Sequence, residues 1–363
     1  MKRILHCHST FDLGGKEARA VRLMNAFGNA AEHTILTAVP GALGARVAID
    51  PAVRVNFPTD APSLSGKPAP GRYRRLAGYM RGFDLILSYN WGAMDAVMAH
   101  RIARKMPPLI HHEDGFNADE TTRLKTRRNV FRRLALPTAR ALVVPSKTLE
   151  MVARDIWHRT AIRISNGIDV SAYGRPTVEI PGLTKAGGEV IIGTLAGLRP
   201  VKNLGRLVRA AAAIPNARLV IVGEGPERAN ILAEAAASGL DDRLVLPGFL
   251  ARPQDYIGHF DIFALSSDSE QFPISLIEAM SAGIPCVSTD VGDVATMVSD
   301  ANRPFVTPVE GHGYAIALAS LCADSQSRRL LGDANRAKAL AEYDERVMIA
   351  RYRTLYDVAI GDN

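Results

Sequence analysis

The sequence predicts an α/β protein of two doubly wound domains, and three observations predict it. Both halves of the chain open alike, with a short apolar strand, a glycine turn and a helical run, which is how a doubly wound unit begins. Further short apolar segments recur with helical patterns between many of them, the rhythm of a mainly parallel sheet. The length, 363 residues, exceeds what one ordinary core serves and suits two.

In the first half, residues 2–7 are the opening strand, Leu13-Gly14-Gly15-Lys16-Glu17 the turn and residues 18–27 the helix. Strands follow at 84–88, 109–111 and 141–144, and the proline- and glycine-rich residues 60–71 read as a mobile loop. Glycine and proline crowd 173–188 and break any regular element there, so this stretch is expected to be a linker and hinge. The second half opens with a strand at 189–193, a turn at 196–200 and a helix at 204–213, then strands at 218–222, 243–246, 262–265 and 285–288. The predicted division is 1–172, a linker 173–188, and 189–341. Residues 342–363 form a C-terminal helix expected to cross back to the first domain.

Hydrophobic residues are 47% and charged residues 22%, an ordinary globular composition. No apolar run approaches the roughly 18 residues that span a bilayer, and the first residues read as a strand rather than a signal peptide. Three scattered cysteines, Cys7, Cys286 and Cys322, have no metal-like pairing and point to a reducing compartment. The expected location is the cytoplasm, including the inner membrane face. The net charge of +7 is uneven, a positive first half on a negative second half. Either the first half meets something anionic or it is a solvated basic surface. The stretches from Arg72 to Arg81 and from Arg123 to Arg133 interleave cations with apolar residues. They read as amphipathic faces able to rest on anionic lipid, against the alternative of solvated faces. No nucleic-acid-binding module is recognisable.

Chemistry concentrates in the second half. Glu270 follows the strand at 262–265, at the carboxyl edge where open α/β sheets bind ligands. A helix is expected over 273–282, with Pro273 at its start and Gly283 at its stop. The N–H groups of Phe272, Ile274 and Ser275 can meet anionic or hydroxylic atoms there. Glu278 sits inside that apolar helix, so donors must satisfy it, either sugar hydroxyls or a nearby arginine. Arg199 and Lys202 place two cations at a strand-to-helix turn, the arrangement a diphosphate needs. Gly223 and Gly248 mark turns that let backbone approach a ligand. In the first half, His111-His112-Glu113-Asp114 ends a strand, a cluster with functional character. His6 and His8 share a strand face without a carboxylate or suitable cysteine beside them, so no metal site is expected.

These motifs, in this order, resemble the large family 4 of retaining glycosyltransferases with the GT-B fold. The resemblance rests on Gly14-Gly15-x-Glu17, Asn166-Gly167-Ile168-Asp169, Arg199-x-x-Lys202, Val222-Gly-x-Gly-Pro226, and Glu270-x7-Glu278 followed by Ala-Met-x-Ala-Gly-x-Pro. It implies two Rossmann-like domains facing each other across a cleft. It also implies a retaining, metal-independent hexosyltransferase that needs no cofactor beyond a UDP- or GDP-sugar as co-substrate. The acceptor would be a glycan, glycolipid or polyprenol-linked sugar of envelope synthesis. Arg199 and Lys202 would hold the diphosphate, Glu278 the ribose hydroxyls, and Glu270 the donor sugar with the backbone of Phe272–Ile274. Gly14 and Gly15 would approach the diphosphate, and residues 247–249 the base. His111 would stand near the reacting centre, with His112 and Asp114 as further acceptor-side candidates. Gln271, Asp293 and Thr296 depart from the family pattern and bear on donor-sugar preference. The rival readings are a non-catalytic scaffold and a sugar-nucleotide epimerase of the same fold.

Overall fold

The structure is a computed structural model describing residues 1–12, 14–67, 69–116, 120, 124–184 and 186–361. The chain divides into two compact units, residues 1–166 with 347–363, and residues 167–346. The first holds β1 (Lys2–His8), α1 (Gly15–Phe27), β2 (Ala31–Thr37), β3 (Arg54–Asn56), α2 (Pro70–Met80), β4 (Leu85–Tyr89), α3 (Met94–Ile102), β5 (Leu109–His112), α4 (Thr126–Ala135), β6 (Ala141–Val144), α5 (Lys147–Asp155) and β7 (Ile162–Arg163). Its seven strands are all parallel, in the order β3-β2-β1-β4-β5-β6-β7.

The second unit repeats the plan with β8 (Val190–Leu195), α6 (Leu204–Ala212), β9 (Ala217–Val222), α7 (Arg228–Ala237), β10 (Leu244–Gly248), β11 (Ile262–Leu265), α8 (Ile274–Ser281), β12 (Cys286–Thr289), α9 (Val294–Met297), β13 (Val306–Thr307), α10 (Gly313–Ala323) and α11 (Ser325–Glu342). Its parallel order is β10-β9-β8-β11-β12-β13. The central strands read as continuous apolar runs because helices bury both faces of each sheet. Local chemistry sets the helix starts. Ser146 accepts from the Leu149 N–H at 3.1 Å to cap α5, and Pro70 opens α2, where no hydrogen bond is lost.

The last helix, α12 (Glu345–Gly361), places Met348, Tyr352, Tyr356 and Ala359 in an apolar layer of the first unit. The expected linker is not one. Tyr173 and Ile180 are buried in the second unit's core, so the glycines and prolines of 173–188 shape an irregular path across that unit. The chain leaves and re-enters the first unit at Asn166–Gly167 and Arg346–Val347. There Ile168 pairs in parallel with Asp344, its N–H donating to the Tyr343 carbonyl at 3.0 Å while the Glu345 N–H donates to the Ile168 carbonyl at 2.8 Å. Gly167 is required at this crossing, since a Cβ would lie 2.8 Å from the Glu345 Cα.

The two basic stretches turn part of their residues inward, while Val130 and Leu134 stay exposed. Tyr73, Leu76 and Met80, the apolar members of the first, face the core. In the second, Arg123 lies outside the described residues. Arg132 is fully buried among the rings of Trp91, Phe116 and Trp157, at 5.2, 5.5 and 5.0 Å, and pairs with Glu113 at 3.0 Å. Arg128 pairs with Glu120 at 2.7 Å. Cations at helical spacing were inward as well as outward, because aromatic rings and acids from other segments receive them. Among the described residues, no helix is long and apolar enough to cross a membrane.

Candidate functional site

In the second unit the strand order reverses between β8 and β11, and a doubly wound sheet binds its ligand at that point, outside the carboxyl ends of the strands. The loops leaving these two strands carry the predicted cations and carboxylate. Asn203 stands between them in a left-handed conformation (φ 43°), which its short polar side chain tolerates. Its side chain accepts from the Arg206 N–H at 3.3 Å, capping α6, and donates to Asp268 at 3.0 Å. Arg206 donates to the Ser266 carbonyl at 2.6 Å and to Asp268 at 2.8 Å, and the Ser266 hydroxyl donates to the Lys202 carbonyl at 3.0 Å. The two loops are thereby laced together.

On that frame the Lys202 ammonium donates to Glu270, whose same oxygen accepts from the Ser267 hydroxyl at 2.7 Å. The two side chains are 16% and 13% exposed. The Arg199 side chain is exposed, and its guanidinium has no hydrogen bond or ion pair among the described residues. One cation is therefore held in place and the other is open to solvent, on the same short loop.

Beside them lies a cavity of about 410 Å³, lined by Leu195–Gly197, Val222–Glu224, Phe249, Leu250, Pro253, Tyr256, Ser275 and Glu278. Ser275 and Glu278 are three apart on α8 and so share a face. Glu278 accepts from the Tyr173 hydroxyl at 3.3 Å. Burial, with the Glu278 charge adding to it, raises the Tyr256 hydroxyl well above the usual tyrosine range, and that hydroxyl donates to the Leu250 carbonyl at 3.2 Å. Gly223 has φ +144°, and a Cβ there would lie 1.8 Å from the Ala196 carbonyl oxygen. Its N–H donates to the Gly248 carbonyl at 2.9 Å. Backbone thus forms the cavity wall between β8 and β9. Phe249 projects beyond it, 74% exposed.

Pro273 is the N-cap of α8 and not its first residue, and no side chain caps that end. Ile274 opens the helix. The Phe272 ring turns away, edge-on to Tyr343 at 6.0 Å, leaving its backbone as the part that can meet a ligand. The departures Gln271 and Asp293 meet each other, the Asp293 N–H donating to the Gln271 carbonyl at 3.3 Å.

The candidates in the first unit are a different matter. Gly15 begins α1, is exposed, and has open space where a Cβ would stand; Gly14 precedes it as N-cap. His111 and His112 are 0% and 1% exposed. Both lie on β5, an inner strand of the sheet. His111 Nδ1 is 2.9 Å from the Ser88 hydroxyl, and its Nε2 is 3.6 Å from Glu113. His112 packs on the Tyr89 ring at 4.6 Å, and its Nε2 is 3.3 Å from the Tyr356 hydroxyl. Asp114 is engaged by Arg19, whose second terminal nitrogen donates to it at 2.9 Å, while Arg19 also donates to Asn166 at 3.0 Å. Among the described residues no three His, Cys, Asp or Glu side chains gather as metal ligands would.

Three side chains of the second-unit site were not anticipated. Ser267 belongs to a polar run directly after β11, a legible signal at a carboxyl edge. Ser275 is one residue into a helix whose N–H groups alone drew attention. Tyr173 was hidden by its assignment to a linker.

Comparison with known proteins agrees with this geometry. Residues 178–338 match the family described as glycosyl transferases group 1. The chain is 27% identical over 179 residues to N-acetyl-alpha-D-glucosaminyl L-malate synthase of Bacillus anthracis, covering 48% of this chain. It thus spans about half the length of that curated relative, 47%. It is 26% identical over 326 residues to D-inositol 3-phosphate glycosyltransferase of Nocardia farcinica, covering 81% of this chain and 71% of the relative. Among solved structures, Anabaena HepE in complex with UDP superimposes with a TM-score of 0.82 at 22% identity, over 99% of this chain and 100% of that one. That likeness shows the fold, two Rossmann-like domains of the GT-B class. The likeness to glycosyl transferases group 1 is thus carried by residues 178–338, within the second unit.

Proposed function

We propose that this chain is a retaining, metal-independent glycosyltransferase. It moves a hexosyl group from a nucleotide-sugar, UDP-linked in preference to GDP-linked, to a glycan, glycolipid or polyprenol-linked acceptor. The observation that carries the reading is the laced pair of loops at the second unit's switch point. They set Lys202, Arg199 and Glu270 beside a 410 Å³ cavity whose far wall holds Glu278. HepE's complex with UDP favours uridine as the base. The glycosyltransferase names of the relatives favour glycosyl transfer over the scaffold and epimerase alternatives.

In this reading the diphosphate lies over the loop of Arg199 and Lys202. The ribose hydroxyls donate to Glu278, and the base rests near Phe249. The donor sugar's hydroxyls meet Glu270 and the backbone of residues 272–274. As the bond from the anomeric carbon to phosphate oxygen breaks, negative charge grows on the departing diphosphate, and fixed cations stabilise it there without a divalent ion. The acceptor oxygen attacks from the same face, and its proton passes to the leaving phosphate. Work in envelope or glycolipid synthesis at the cytoplasmic face belongs to the same proposal.

The test is calorimetry with UDP, GDP and ADP on the wild type, Lys202→Ala and Glu278→Ala, followed by turnover with the donor so identified. One nucleotide should bind, and both variants should lose affinity about tenfold or more, the loss of a charge-assisted contact. Lys202→Ala should also lower kcat by about 10²–10³-fold, and excess chelator should leave the rate unchanged. No nucleotide binding would sink the reading. An inverted anomeric centre in the product would remove retention alone.

A further inference from the structure

The first unit holds a larger cavity than the donor site, about 560 Å³. We propose that it seats an anion-bearing sugar or polyol, one carrying a phosphate monoester or a carboxylate, which is the acceptor of the transfer. The inference rests on the reading above and adds the acceptor's chemical class.

The cavity opens at the carboxyl end of the first sheet, among residues that follow β2 and β4 and on the first turn of α4, the end where doubly wound sheets take ligands. Its wall is aromatic, Trp91 and Phe131 meeting edge to face at 5.6 Å. Such a wall suits the C–H face of a sugar ring, and polar groups at its margin fix the orientation. Asp95 supplies one of these. Arg72 at 2.7 Å and the Tyr73 hydroxyl at 3.0 Å hold it in place, and a carboxylate has lone pairs left to accept ligand hydroxyls.

The cations decide the ligand's charge. Arg128 is spent, since it pairs with Glu120 at 2.7 Å and lies 5.1 Å over the Trp91 ring. Asp95 is balanced by Arg72. Two further cations line the rim: Lys125, which has a partner of its own, and Arg127, an exposed residue whose guanidinium has no hydrogen bond or ion pair among the described residues. The cavity therefore carries net positive charge at one rim and hydroxyl acceptors at its wall. A neutral glycan would leave that arginine unused, whereas a phosphate or carboxylate on the ring would engage it through two parallel N–H donors.

The test uses the full chain. Glucose 6-phosphate and glucuronate are each titrated against glucose, with UDP as the donor-site control, on the wild type and Arg127→Glu. At least one charged sugar should bind about tenfold or more tighter than glucose, and the variant should lose that advantage with UDP affinity unchanged. No advantage in the wild type, or an advantage that survives Arg127→Glu, would overturn the proposal. A parallel loss of UDP affinity would overturn it too, because the cavity would then serve the donor. Sedimentation with phosphatidylglycerol vesicles separates the remaining source of the anion. Arg127-dependent sedimentation without soluble-sugar binding would make this a lipid-facing surface and not an acceptor cavity. A failure of UDP to bind either protein counts against the donor reading alone, since the sugar comparison is scored independently of it.

Discussion

The two units share one order over six strands, to which the first adds a seventh, and put their charges in different places. In the first, Arg132 and Glu113 pair at 3.0 Å with both side chains 0% exposed, and Arg19 and Asp114 pair at 3% and 10%. In the second, the corresponding edge holds the partly exposed pair Lys202–Glu270 and the open Arg199. The first unit spends ionic contacts on fixing its own loops. The second keeps them where a ligand can compete for them. Charge read along a sequence therefore does not say which residues meet solvent, since these buried pairs cancel and leave the first half's positive surplus to its other residues.

The comparison can be broken most sharply at Arg132. Arg132→Ala leaves Glu113 charged and buried, which should cost about 3–5 kcal/mol of stability. Trp91 and Trp157, the only tryptophans, both lie in the first unit, so intrinsic fluorescence in a denaturant titration reports on that unit. A loss near zero would mean that the pair is not sealed from water. Next comes Gly223→Ala, where shape rather than charge is at stake. The added methyl meets the Ala196 carbonyl at 1.8 Å and should destabilise by about 1–3 kcal/mol, with UDP affinity falling and tryptophan fluorescence at the native value. Preserved UDP binding would show that this backbone wall does not shape the donor cavity.

The smallest effect is graded with pH. Burial lowers His6, His8 and His112 well below the usual histidine value, and His33 to about 4. All four belong to the first unit, whereas the second unit's histidines, His259 and His312, are partly or fully exposed. Below pH 6.5 the unfolded chain takes up protons that the folded unit refuses. Stability is therefore complete above that value and is lost as pH falls toward 4, by up to about 1.4 kcal/mol per pH unit per histidine. Denaturant midpoints read by tryptophan fluorescence at pH 7 and pH 5 check this. Equal midpoints would mean that the cluster is hydrated or already charged.

Much of this was legible in the sequence, and what was missed has identifiable causes. Strands such as 141–144 and 262–265 were placed to the residue because long apolar runs flanked by turns leave little choice. β2 was overlooked because Glu32 and His33 interrupt its apolar run, and β3, β7 and β13 because edge strands of two or three residues carry almost no pattern. Arg199, Lys202, Glu270 and Glu278 stood out as candidates because charge at a turn or inside an apolar helix needs a reason. The burial of His111 beside Ser88 and Glu113 was not legible, because its partners come from another strand and from a loop start. Residues 173–188 misled because glycine and proline report a broken element and not a domain boundary. The true crossing is the inconspicuous Asn166–Gly167.

The route of the chain has a consequence for synthesis. The second unit's 180 residues, 167–346, are inserted before α12, and the layer of the first unit built on Leu85, Ile110 and Val143 is completed by Tyr352 and Tyr356. Domains ordinarily finish in the order they leave the ribosome, at roughly 5–20 residues per second. Here the first to emerge is the last to close. A nascent first unit must carry an unfinished apolar face for on the order of ten to forty seconds while the second is made, which gives chaperones their longest opportunity on the half that holds the buried charges.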